Sequence, residues 1–338
     1  MDELGQLVQT RIEALQNPND CESARKLVCD LTKICGFGCQ VHHLAYCLIV
    51  AYATNRTLIL KSQGWRYNRN GWHTVFQPLS RTCTDVLPGG SRKWSAPDAH
   101  RFPVVQLPII GSLSPHPPYL PNAIPKELSE RLIRAHGDPA VWWVGQFASY
   151  LLRPLDPLRE FLVQAKKKLR FHNESPIVGV HIRRTDKVGT EASFHSLEEY
   201  FKFVELFFEQ EEKRRGMKLQ RRAFIATDDP LVIEEARRNM SSYEILGDPM
   251  VAKTASLSSR YSFDSLRNIV LDIHVLSKCS YLVCTFSSNV CRLSYELMQT
   301  DHADASHAFK SLDDVWYFGG GQGKESVALE AHEGKAGE

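Results

Sequence analysis

The sequence has no apolar run long enough to cross a bilayer. Its longest, Leu44 to Ala53, includes Tyr46 and Cys47 and falls well short of the ~20 residues that a spanning helix needs. It also lacks an excess of one charge. Forty-one Lys and Arg against 39 Asp and Glu leave a formal net charge of +2 and a pI near 8.0. That balance gives no ground for nucleic acid or a membrane surface as partner. The first residues carry Asp2 and Glu3 and no h-region, so no signal peptide is read there. What is present is the composition of a globular protein, 338 residues with 43% hydrophobic and 24% charged. The length suggests two domains.

The nine cysteines are clustered, six between Cys21 and Cys83 and three between Cys279 and Cys291. Such clusters suit local disulfides in an oxidising lumen, or small core residues in a reducing compartment. A zinc site from Cys29, Cys35, Cys39 and His42 or His43 is a weaker third option, because its spacing matches no standard pattern. Asn-x-Ser/Thr triplets at Asn55, Asn173 and Asn239 add slight support for a secretory route.

The stretch Ile177 to Glu191, I-V-G-V-H-I-R-R-T-D-K-V-G-T-E, organises the chain. Ile177, Val178, Val180 and Ile182 form a run that fits a buried parallel strand. Beyond it come Arg183, Arg184, Asp186 and Lys187, where open α/β sheets bind ligands. Three cations at a strand end suit an anionic ligand, and Glu191 lies within loop reach of it. A solvated ion-pair cluster is the plainer alternative.

Around that strand the pattern is regular. Helices are expected over Leu197–Arg215, from Asp228-Asp229-Pro230 through Arg238, over Phe263–Lys278, and after Ser288 to Thr300. Strands are expected over Arg222–Thr227, Ser242–Leu246 and Tyr281–Cys284. The alternation implies a parallel, doubly wound sheet. Thr227-Asp228-Asp229 and Thr285-Phe286-Ser287-Ser288-Asn289 then reach one edge, as ligand contacts or as helix caps.

The N-terminal half is less regular. Residues 1–19 carry a helix with Leu4, Leu7, Val8, Ile12 and Leu15 at helical spacing, a surface helix or stalk remnant. Asp20 is expected to cap a second helix through about Lys33. Cys35-Gly36-Phe37-Gly38-Cys39 is a glycine loop, with no clear strand before it, leading into a helix from Val41 to Ala53. It is a tight turn or a phosphate cradle. Thr57 to Leu60 reads as a strand. Trp65, Tyr67 and Trp72 in the next irregular stretch either stack on a ligand or cover the core. Residues 88–125 hold nine prolines, and only Val104 to Leu107 reads as a strand among them. Helices follow near 125–136, 139–152 and 156–171. Lys166, Lys167 and Lys168 sit at the C-terminus of the last, where cations complement the helix dipole.

The segments G-V-H-I-R-R-T-D-K-V-G-T-E, A-T-D-D-P, S-L-R-N-I-V-L-D-I-H and C-T-F-S-S-N-V-C-R resemble the eukaryotic α-1,6-fucosyltransferases that modify the core of N-glycans. So do C-G-F-G-C-Q-V-H-H-L-A-Y-C and S-Q-G-W-R-Y, and the likeness runs from about residue 20 to about 320. The resemblance implies a two-domain, GT-B-like α/β glycosyltransferase. Residues 20–172 would form an open-sheet domain and 173–312 a Rossmann-like domain, with 313–338 a disordered tail whose Gly-rich part begins at Gly319. It implies GDP-fucose as donor, the 6-hydroxyl of the innermost N-acetylglucosamine as acceptor, inversion, and no metal or other cofactor. By position, Glu191 is the general base, and Arg183 and Lys187 neutralise the diphosphate. His181 and Asp272 contact guanine, Ser287 and Ser288 hold phosphate, and Tyr67 lines the donor pocket. Arg184, Asp228 and Asp229 match residues with less defined roles.

The same resemblance implies the pairs Cys21–Cys83, Cys29–Cys47, Cys35–Cys39 and Cys284–Cys291, with Cys279 free, and a Golgi lumen. Members of that family also carry a membrane anchor, a coiled stalk and an SH3-like domain, none of which is recognised in these residues beyond the stalk remnant. Asn289 stands where vertebrate members have Gln. A homodimer is left open. The rival functions are a non-catalytic GDP-sugar- or glycan-binding form, and a fucosyltransferase with another acceptor.

Overall fold

The structure is a computed structural model that describes residues 1–86, 90–109, 124–172, 174–184, 193–256 and 259–318. Two parallel sheets organise it. The first joins β1 (Lys26–Asp30), β2 (Thr57–Lys61), β3 (Arg92–Lys93) and β4 (Val104–Leu107) in the order β2-β1-β4-β3. The second joins β5 (Ile177–Ile182), β6 (Arg222–Thr227), β7 (Glu244–Leu246), β8 (Tyr281–Cys284) and β9 (Phe309–Ser311) in the order β7-β6-β5-β8-β9. Winding in the second sheet therefore reverses between β5 and β8, the switch point at which doubly wound sheets open a crevice.

Ten helices are present among the described residues: α1 (Asp2–Gln16), α2 (Phe37–Ala53), α3 (Lys126–Ala135), α4 (Pro139–Leu151), α5 (Asp156–Lys168), α6 (Leu197–Arg215), α7 (Pro230–Asn239), α8 (Pro249–Lys253), α9 (Phe263–Ser277) and α10 (Asn289–Asp301). Local sequence sets their ends. Asp138, Asp229 and Asp248 each cap a helix whose first residue is proline, accepting from the amides of Val141, Leu231 and Met250. Ser196 and Glu199 form a capping box at the start of α6, and Gly216, at φ +68°, ends it in the left-handed conformation.

The expected helix after Asp20 is a strand instead. Leu27, Val28 and Cys29 are fully buried between β2 and β4, and a short apolar run buried on both faces has no period to distinguish strand from helix. The Asp20 carboxylate accepts from the Glu22 amide, 2.9 Å away, in a turn. The glycine loop thus does follow a strand, and α2 begins inside it at Phe37. Three short elements, β3, α8 and β9, had no expectation. The N-terminal helix is not an appendage: Gln9 donates to the Gln146 carbonyl at 2.8 Å, and the Gln16 side chain both accepts from and donates to the backbone of Leu58. Residues 313–318, expected in the tail, pack on α10, where Trp316 Nε1 donates to Glu296 at 3.0 Å. Residues 319–338 lie outside the described part.

All four expected disulfides are present, and Cys279 is buried and free. Cys29, His43 and Cys47 do cluster, but the two cysteines are bonded to each other and offer no thiolate.

The two sheets share one apolar core, which runs from α1, α2 and α4 into α9 and α10. Helix α10, which follows the second sheet's β8, packs on α4 and α2 of the first. Gly145 permits this, because a Cβ there would collide with the Glu296 carbonyl oxygen. Gly145→Ala is expected to cost at least about 1–3 kcal/mol. Its unfolding midpoint should fall by roughly 2–4 °C per kcal/mol; an unchanged midpoint would contradict the close approach.

Candidate functional site

Three strand ends meet at the switch point. Ile182 is followed by Arg183 and Arg184, Thr227 by Asp228 and Asp229, and Cys284 by the turn Thr285-Phe286-Ser287-Ser288 into α10. Asp228 ties the first two together. Its Oδ2 lies 3.2 Å from Arg183 Nε, its Oδ1 accepts from the Arg184 amide at 2.8 Å, and its side chain is only 3% exposed. The Arg184 guanidinium lies over the Phe194 ring at 4.0 Å and donates to the His195 carbonyl. Arg184 and His195, which flank residues 185–192, are thereby held together. Lys187 and Glu191 fall within that stretch, outside the described residues.

Of the paired alternatives left open above, Asp229 is the cap of α7 and Asp228 is the organiser of the strand end. Ser288 precedes α10 as its N-cap without a side-chain cap bond, the Ser287 amide donates to the Asp313 carboxylate at 3.4 Å, and the Ser288 amide donates to the Thr285 carbonyl at 3.0 Å. The hydroxyls of the turn are thus not spent on capping, and the amides of a 13-residue helix start here.

His181 is 5% exposed on β5. Burial, and then the Arg183 charge, push its pKa down to about 4, with Asp228 acting weakly in the other direction. The ring is therefore neutral near pH 7 and can both donate and accept. Asp272 on α9 lines a small cleft with Thr227, Asp248, Val251, Ala252 and Leu271. Loss of solvation, and then the neighbouring Asp248, raise its pKa well above the carboxylate range. Because the folded state holds that proton more tightly than the unfolded chain, ionising Asp272 destabilises the fold as pH rises through the folded-state value. Asp272→Asn is expected to raise the unfolding midpoint at neutral pH. If the midpoint does not rise, the carboxyl is not strained.

The first domain contributes to the same place. Tyr67, 4% exposed, accepts from the Phe37 amide at 3.0 Å and lies 5.2 Å from the ring of Tyr261. Burial pushes its phenol up to about 12, with Arg260 and Arg183 among the charges pulling the other way. The Arg66 guanidinium lies over Tyr261 at 3.7 Å. Arg66 thus stacks on an aromatic pair with one ring from each half of the chain, and Arg183 and Arg260 lie near enough to act on the Tyr67 phenol. Trp65 and Trp72, in contrast, pack around Phe37 as core. Sequence reasoning missed Arg66, Arg260 and Tyr261, although the repeated Arg-Tyr dipeptide was a usable signal. It also missed Lys33, just past β1, whose ammonium pKa is lowered by burial.

The described geometry gathers Arg183, Arg184, Asp228 and the Ser287-Ser288 turn at the carboxyl ends of β5, β6 and β8. The sequence matches the family model for alpha-(1,6)-fucosyltransferase N- and catalytic domains over residues 1–317. The chain belongs to the alpha-(1,6)-fucosyltransferase family. It is 56% identical over 330 residues to a Drosophila melanogaster alpha-(1,6)-fucosyltransferase, covering 98% of this chain and 52% of that protein. To the Caenorhabditis elegans one it is 48% identical over 323 residues, covering 95% and 58%. The chain thus spans little more than half the length of these curated relatives. A solved structure of an Arabidopsis thaliana FUT1 mutant in complex with GDP shares the fold, with TM-score 0.50, 11% identity, and coverage of 88% of this chain and 74% of that one. In this chain, His181, Arg183, Arg184, Asp228, Ser287 and Ser288 lie at or just beyond the ends of β5, β6 and β8, and Tyr67 lies close enough to Arg183 to feel its charge.

Proposed function

We propose that this chain transfers fucose from GDP-fucose to the 6-hydroxyl of the innermost N-acetylglucosamine of N-glycans, with inversion at the anomeric carbon. The observation that carries this is the convergence of Arg183, Arg184 and the Ser287-Ser288 turn on the β5/β8 switch point in a chain of this family. Guanine would sit toward His181 and Asp272, the diphosphate between Arg183, the hydroxyls of Ser287 and Ser288, and Tyr67. Lys187 would add a second cation. These groups stabilise the leaving diphosphate electrostatically, so no metal is needed for that role. The acceptor oxygen attacks the anomeric carbon, the bond from that carbon to the β-phosphate oxygen breaks, and GDP departs with the electron pair. The proton of the 6-hydroxyl passes to Glu191, assigned as general base by its position in the sequence.

The activity for which the relatives are named, the GDP bound by the Arabidopsis structure and the four disulfides support this reading. The disulfides also suit an oxidising compartment, and the resemblance makes that the Golgi lumen. Calorimetric titration with GDP and with UDP tests the donor assignment. GDP should bind at least tenfold more tightly, on the ~1.4 kcal/mol scale of one well-placed hydrogen bond to the base. Equal affinities, or no binding, would contradict it.

A further inference from the structure

A buried polar network joins the two domains directly behind the Ser287-Ser288 turn. His42 on α2 places Nδ1 2.8 Å from Asn289 Oδ1 and Nε2 3.0 Å from Glu296 Oε2. Asn289 Oδ1 also accepts from Arg292 at 2.9 Å, which fixes it as the oxygen end of the amide. Both ring nitrogens of His42 therefore face acceptors, and the arrangement is satisfied only when both donate. Glu296 has a fully buried side chain, and Oε1 takes a further bond from Trp316 Nε1 at 3.0 Å. Arg292 donates to the Tyr317 carbonyl at 2.9 Å, and the Phe318 ring closes edge-on over His42 at 5.8 Å. A network this buried is costly unless complete, and here each of these side chains is bonded across the interface or along α10.

Its position gives it a use. Asn289 is the first residue of α10, directly after Ser288. The backbone of α2 also approaches it closely, since a Cβ on Gly38 would fall 2.9 Å from the Asn289 carbonyl. We propose that His42 is a positioning residue for the donor diphosphate: from the other domain it fixes Asn289, and with it the hydroxyls that the Ser287-Ser288 turn presents. This rests on the donor reading above. His42 does not touch the donor itself. It acts by restraining a helix N-terminus whose registry with the diphosphate depends on how the two domains close.

The test measures GDP affinity and thermal midpoint for the full chain and for His42→Ala, Asn289→Ala, the double variant and Val50→Ala. Val50 is fully buried on α2 and makes no contact in the network, so its truncation destabilises by leaving a cavity. His42→Ala and Asn289→Ala should each raise the Kd for GDP by about tenfold, the scale of one lost buried hydrogen bond. The double variant should be no worse than either single one, because the two side chains act as a unit. Val50→Ala should lose thermal midpoint and keep its GDP affinity. The proposal is overturned if His42→Ala binds GDP as the parent chain does, if the two substitutions add independently, or if Val50→Ala weakens GDP equally. If the parent chain does not bind GDP, the donor reading falls and takes this inference with it.

Discussion

Arg183→Ala is expected to weaken GDP binding by about 10- to 100-fold, the scale of a charge-assisted hydrogen bond lost from a partly buried site. Its guanidinium is only 19% exposed and is already oriented by Asp228, so little side-chain freedom remains to be lost when the diphosphate arrives. The same substitution leaves the Asp228 carboxylate buried without that cation, so the fold should lose stability as well. The two effects separate experimentally. Asp228→Asn keeps the bond from the Arg184 amide and relaxes the charge, so it should restore stability to the Arg183→Ala background without restoring GDP affinity. Arg183→Lys should keep part of the affinity but lose the planar fork. Calorimetry with GDP, paired with thermal unfolding, checks both. An Arg183→Ala chain that binds GDP as the parent does would remove the guanidinium from the diphosphate.

Glu191→Gln is expected to have the opposite profile. Removing a general base lowers the rate of the chemical step by about 10²–10⁴-fold, while GDP affinity should stay within about twofold, less than the effect of a single lost hydrogen bond. The amide keeps the shape and one acceptor of the carboxylate but cannot take the acceptor's proton. Single-turnover transfer rates beside GDP titration make the comparison. Full activity in Glu191→Gln would mean that another group takes the proton. Loss of GDP affinity equal to the loss of rate would mean that Glu191 organises the stretch from 185 to 192 and does not act as base.

The contrast between the two residues follows from where they lie. Arg183 is one residue beyond a strand whose six positions are all buried, so the sequence pattern located both the strand and its product. The Rossmann-like half was legible for that reason. Strands β5, β6 and β8 are largely apolar runs, and α6 and α7 start at Ser-x-x-Glu and Asp-Pro signals that chemistry dictates locally. The first half was less legible where a decision needed tertiary information. Lys26–Asp30 has too few residues to show a period, and only its two parallel neighbours make it a strand. Tyr67 was placed in the donor pocket by resemblance, whereas the repeated Arg-Tyr dipeptide hinted at Arg66, Arg260 and Tyr261, and only the fold shows that the two dipeptides meet.

His42 illustrates the same limit. In sequence it belongs to a histidine pair inside an apolar helix and was weighed only as a zinc ligand. Folding carries it across to a carboxylate 254 residues away. Among the charged residues, Asp228 shows how a local signal can mislead: Asp-Asp-Pro announces one cap, and nothing local says that the second aspartate is the cap and the first the anchor of a neighbouring strand.

The account is tested most directly by incubating the purified chain with GDP-fucose and a biantennary N-glycopeptide ending in N-acetylglucosamine, with a chelator present, and reading the product by mass spectrometry. The predicted result is one added fucose on the innermost N-acetylglucosamine, at a rate that the chelator does not change. Fucose on any other sugar, transfer that needs a metal, or no transfer by a folded chain that binds GDP would contradict it.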